Sequence, residues 1–161
     1  EQYAIAMVRR HRLLETFLVT TLGYPWEEVH DEAERLEHAV SETMIERIDA
    51  LLGNPATDPH GDPIPTATGY VSRPIDAIRL TRVVPGDYVI IRISDADSGQ
   101  LAGFRRRDIV PGALVNVAGG DPRQDRIVLK GADGKEVILT TEQANAIWVA
   151  LSPGIGGGTS L

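Results

Sequence analysis

Residues 53–69, "GNPATDPHGDPIPTATG", carry glycine or proline at positions 53, 55, 59, 61, 63, 65 and 69. Proline fixes φ and lacks an N–H, and glycine weakens any regular element, so this stretch reads as an extended connector. The chain changes character across it. Before it, apolar residues recur every three or four positions, as in Leu14, Phe17, Leu18 and then Ala33, Leu36, Val40, Met44, Ile48, Leu51, the spacing of amphipathic helices. The second series reads as one helix from Ala33 to Leu52. A break falls at "LGYPWEEV" (22–29), where Gly23 suits a helix C-terminus and Pro25 opens the next helix. Glu27 and Glu28 then sit near the positive end of its dipole. Two or three helices result. After the connector come the β-branched runs "IRLTRVV", "DYVIIRIS", "ALVNVA", "RIVLK", "EVILT" and "IWVAL". The pairs Pro85-Gly86, Pro111-Gly112, Gly119-Gly120 and Asp133-Gly134 punctuate them as turns, the pattern of a small antiparallel barrel. The expected fold class is α+β, with a helical domain at 1–65, a linker at 66–73, an all-β barrel at 74–151 and a flexible tail, "SPGIGGGTSL", at 152–161.

Composition narrows the function. The chain has 161 residues, 42% of them apolar, which suffices for a core, although a domain near 70 residues is marginal alone. There is no cysteine, which excludes a disulfide framework and thiolate metal sites and permits a reducing cytoplasm. No segment approaches the roughly 18 apolar residues of a membrane span, so a soluble, cytoplasmic protein with no membrane partner is expected. Net charge is −7, which argues against gripping phosphates, since nucleic-acid affinity comes chiefly from clustered Lys and Arg. The opening "EQYAIAMVRRHRLLETFLV" starts inside a helical pattern with neither Met nor an N-cap. It reads as the C-terminal part of a longer protein.

The chemistry concentrates in "VHDEAERLEH" (29–38), with two histidines, four carboxylates and one arginine. At about 100° per residue, His30, Glu34, Glu37 and His38 share one arc of a helix. Carboxylates at such spacing repel one another unless a cation neutralises them. His11 and Glu15 form a second pair one turn apart, so three of the four histidines each have a carboxylate at helical spacing. His60, in the turn-rich connector, reads as structural, hydrogen-bonding the turn. Arg105 to Arg107 read as a solvated face.

"RRHRLLETFL", "VHDEAERLEH" and "DPHGDPIP", followed by a small barrel, resemble the diphtheria toxin repressor family of metal-dependent transcription regulators. The resemblance implies a helical dimerisation and metal-sensing domain followed by an SH3-like barrel of the FeoA type. It also implies an N-terminal winged helix-turn-helix that binds operator DNA and is absent from this chain. It assigns His11, Glu15 and His30, with Asp97 and Gln100 from the barrel, to an ancillary metal site. Glu34, Glu37 and His38 match the primary site, completed in the family by a ligand from the N-terminal domain. The iron-responsive branch carries Cys where Glu34 stands, and the manganese-responsive branch carries Glu. An oxygen and imidazole set without sulfur suits a hard ion, so Mn2+ is favoured, with Fe2+ the other candidate and Co2+, Ni2+ or Zn2+ as surrogates. The expected protein is a homodimer paired through the apolar faces near Val40, Met44 and Ile48, and a sensor, not an enzyme. Two other readings stand beside it. "ERLEH" (34–38) is one residue from the metallohydrolase motif H-x-x-E-H, and the barrel alone would fit a ferrous-transport accessory module.

Overall fold

The computed structural model describes residues 2–72, 76–121 and 125–152; residues 153–161 of the expected tail lie outside them. The chain divides into two compact units, Glu1–Pro74 with Asp95–Gly103, and Ile75–Ser94 with Phe104–Leu161. Among the described residues no helix is long and apolar enough to cross a membrane.

Between residues 2 and 72 the first unit holds three helices among the described residues: α1 (Gln2–Thr20), α2 (Val29–Glu37) and α3 (Glu42–Leu51). The single helix expected from Ala33 to Leu52 is therefore two. Ser41 causes the break, because its extended backbone and its hydroxyl, which accepts the Met44 N–H at 3.2 Å, make it the N-cap of α3. Leu13, Leu14 and Leu18 of α1 pack with Val29 and Ala33 of α2, Ile45 and Ile48 of α3, and Ile64. This burial is the main force closing the unit. It also corrects the expected dimer face: Ile48 is buried in its own core, whereas Met44 and Leu51 are exposed.

The stretch expected to be an extended connector is folded. Asp58 Oδ1 accepts the backbone N–H groups of His60 (2.9 Å) and Asp62 (3.0 Å), and Thr57 pairs with Pro63. Gly61 takes φ 91° at the tip, where a side chain would be strained. Arg12 of α1 donates to the Pro63 carbonyl at 2.6 Å. Asp58, His60 and Asp62 are thereby buried and Ile64 reaches the core.

The second unit is an SH3-like fold built on a six-stranded antiparallel sheet in the order β1-β6-β2-β3-β4-β5. The strands are β1 (Ile78–Arg79), β2 (Gly86–Ile93), β3 (Leu114–Asp121), β4 (Arg126–Gly131), β5 (Glu136–Leu139) and β6 (Ile147–Leu151). All six apolar runs contribute a strand, though the first shrinks to two residues before a 3-10 turn at Leu80–Arg82. Gly119-Gly120 is not a turn: β3 continues through it and pairs with β4, absorbing an irregularity between Val117 and Gly119. Two short helices were not foreseen. α4 (Ser98–Arg105), which belongs to the first unit as far as Gly103, starts where the Asp97 carboxylate accepts the Gln100 N–H at 2.8 Å. α5 (Thr141–Asn145) is opened by a capping box between Thr140 and Gln143. Trp148 on β6 lies between the guanidinium groups of Arg79 (4.7 Å) and Arg92 (4.3 Å).

Candidate metal centre

The buried face of α1 carries Leu13, Leu14 and Leu18 together with the polar Arg9, Glu15 and Thr16, and of these three Glu15 is sealed most completely, at 1% exposed. A carboxylate so far from water persists as an anion only if cations or donors surround it. Glu15 Oε1 lies 3.0 Å from His11 Nε2 and 3.1 Å from His30 Nδ1, and its Oε2 lies 4.0 Å from His60 Nδ1. Three histidines from three segments thus face one carboxylate. Helical spacing brings His11 to Glu15, and the packing of α2 on α1 brings His30.

His11 is the hinge of the arrangement. Its Nε2 faces Glu15 and its Nδ1 faces Glu37 Oε2 at 2.7 Å, with the His30 ring edge-on at 4.7 Å between centroids. Burial alone would disfavour its protonated form, but a carboxylate at each ring nitrogen outweighs that and raises its pKa to about 9. Burial likewise works against an ionised Glu15, yet the hydrogen bonds and charges of His11, His60 and His30 prevail and lower its pKa. Asp58 behaves oppositely: burial, with Asp62 and Glu15 nearby, pushes it up to about 6.

Two close groups of ligand atoms result among the described residues, His11–Glu15–His30 and Glu15–Asp58–His60, each within 4.8 Å of one another. That span fits one dication, because metal–ligand bonds of about 2.0–2.6 Å place opposite ligands at most about twice as far apart. His60 Nε2 lies 2.8 Å from the Trp26 carbonyl and must donate to it. The other nitrogen, Nδ1, is buried without a hydrogen bond and directed at Glu15. An orphaned nitrogen beside a carboxylate is what a ligand set looks like without its cation.

Sequence reasoning found the first group and missed Asp58 and His60. Their proximity to Glu15 depends on the fold of the connector, which no periodicity announces. The remaining candidates are placed differently. Glu37 bonds His11 and lies 3.2 Å from His38 Nε2, while Glu34 and His38 are exposed and belong to neither close group. Asp97 is exposed, caps α4, and is likewise in neither group; Gln100 is half-buried.

Comparison with known proteins places the chain among metal-dependent repressors. Residues 1–66 match the family model described as iron dependent repressor, metal binding and dimerisation domain. The iron-dependent repressor IdeR of Mycobacterium leprae is 35% identical over 159 residues, covering 91% of this chain and 68% of that protein. The diphtheria toxin repressor of Corynebacterium glutamicum is 42% identical over 156 residues, covering 91% and 67%. A solved manganese-dependent transcriptional repressor in complex with manganese superposes with a TM-score of 0.87 at 50% identity, covering 91% of this chain and 70% of that one. The repressor ScaR with bound Cd2+ gives 0.79 at 34% identity, covering 94% and 70%. With a histidine-flanked buried carboxylate in its helical unit and an SH3-like fold in its second unit, the chain belongs to the iron-dependent repressor family of metal-dependent transcriptional regulators.

Proposed function

We propose that the chain is the metal-sensing and dimerisation part of a repressor that responds to Mn2+ or Fe2+, with Mn2+ favoured, and acts as a cytoplasmic homodimer. Operator DNA is gripped by a further domain, consistent with the net charge of −7 here. The observation that carries this reading is Glu15, a carboxylate sealed in the helical unit with histidines on both oxygens. A bound dication would take the place of the His11 proton as the positive charge facing these carboxylates. His11, Glu15 and His30 would hold one ion, with Asp97 and Gln100 completing the set; the grouping of Asp95–Gly103 with the helical unit favours that assignment. Asp58 and His60 offer Glu15 an alternative pair of partners. Glu34, Glu37 and His38 would hold the second ion together with the DNA-binding domain. The arrangement that contains complete sites is the one a metal stabilises.

The manganese-dependent relative supports Mn2+ over Fe2+, as does a donor set without sulfur. The hydrolase reading gains nothing, because Glu34, where that motif needs histidine, is exposed, and the relatives are repressors.

Metal analysis of dialysed protein tests the ligand sets. The double change Asp97→Ala with Gln100→Ala should remove about one Mn2+ per chain if those residues complete the group around His11. Asp58→Ala should do so if Glu15 turns to His60 instead. A full metal complement in both variants would refute the assignment around Glu15.

Selectivity gives a separate test. Glu34→Cys in the full-length protein should shift the DNA-binding response toward Fe2+, Co2+ or Zn2+ and away from Mn2+, because a thiolate favours softer ions. An unchanged metal ranking would place selectivity in residues around the ligands.

A further inference from the structure

Arg10 immediately precedes His11 on α1 and offers no metal ligand, yet its side chain reaches the far end of α2. Nη1 donates to the carbonyls of Glu37 (3.0 Å) and Val40 (3.1 Å), and Nη2 donates to Glu42 Oε2 at 2.7 Å. These contacts fall at a weak point. α2 has nine residues, and its last turn carries Glu37, with His38 as the C-cap. The final carbonyls of any helix lack intrahelical partners, and its ends fray. A ligand pair on such an end has no fixed geometry unless another element supplies one.

α1 supplies it at two points. Arg10 holds the main chain of Glu37, and the neighbouring His11 holds its carboxylate through Nδ1 at 2.7 Å. The guanidinium fork suits this task, since one planar group reaches two carbonyls and a carboxylate at once. We propose that Arg10 is a positioning residue for the metal site at Glu34, Glu37 and His38, fixing the main chain at the end of α2 so that Glu37 and His38 present their ligand atoms together. The inference rests on the reading of those residues as metal ligands.

The sign of the effect separates positioning from charge. A cation beside a metal site repels the incoming ion, so if charge alone mattered, removing Arg10 would tighten binding. Positioning requires the opposite. The test is calorimetric titration of the full-length protein with Mn2+ alone, comparing the parent with Arg10→Met, Arg10→Lys, Glu37→Ala and Glu15→Gln. Circular dichroism confirms that each variant is folded. Arg10→Met should weaken the step that Glu37→Ala abolishes by roughly tenfold or more. The step that Glu15→Gln abolishes should change by less than about twofold, being supported by other contacts. Arg10→Lys should recover part of the loss, because an ammonium still donates to the carbonyls. If Arg10→Met does not fold, Arg10→Lys carries the comparison, and a weakening confined to the Glu37 step supports the proposal. Unchanged or tighter binding, equal weakening of both steps, or Lys performing no better than a folded Met variant would overturn it. If Glu37→Ala removes no step, the metal assignment falls and the role of Arg10 with it. If Glu37→Ala removes one that Arg10 variants leave intact, only Arg10 is misassigned.

Discussion

Glu15→Gln should lower Mn2+ affinity by at least about 100-fold, since loss of groups that merely orient a ligand already costs roughly 10–100-fold. No other residue belongs to both close groups of ligand atoms, so neither group survives this change intact. The substitution keeps the shape and removes the charge, which separates ligation from packing. It also strips His11 of the carboxylate at Nε2, so the metal-free protein should lose on the order of 1.5–3 kcal/mol, the range for a hydrogen bond between charged groups. Isothermal titration with Mn2+, alongside urea unfolding in chelator, measures both. Retention of parental Mn2+ affinity would refute the central role given to Glu15.

The stabilisation conferred by Mn2+ should grow steeply between pH 6.5 and 9. His11 has a folded pKa of about 9 against an ordinary 6.5, so its contacts with Glu15 and Glu37 stabilise the metal-free protein fully below pH 6.5. That contribution, on the order of 3 kcal/mol, is lost as pH rises through about 9. Asp58 adds the same trend at lower pH, because its folded pKa of about 6 exceeds the ordinary 3.8; its burial favours the neutral form and weakens the fold as pH climbs between those values. Glu15 has a lowered pKa, so its contribution holds above its ordinary 4.5 and fades only as pH falls below that. Metal binding runs the other way. A metal ligand needs a free lone pair, so His11 must release a proton, and affinity should climb close to tenfold per pH unit until about 9. Thermal melts with and without Mn2+ across this range give the difference directly. A constant gap between the two curves would exclude His11 as a ligand.

The sequence revealed those features that depend on spacing along one element. His11 with Glu15 is a single helical turn, and the six β-branched runs each became a strand. What it concealed depends on distant segments meeting. His60 lies 34 residues from the carbonyl it binds at Trp26, and its turn composition masks the buried setting that Asp58 builds around it. The apolar period continues smoothly from Ala33 to Leu51, so it could not expose a helix break set by one serine cap and by Arg10 drawing on the carbonyls beside it. Gly119-Gly120 misled for a related reason: glycines suit a strand irregularity as well as a turn.

The chain's two tryptophans fall one in each unit. Trp26 stacks on His60 at 5.4 Å with the planes 21° apart, and Trp148 lies between two guanidinium groups of the sheet. Trp26, packed on a residue of the candidate metal centre, is therefore an optical probe already in place. Replacing Trp148 with phenylalanine would leave a single tryptophan, and its emission, excited to the red of tyrosine absorption, would follow events around Glu15 without any attached label.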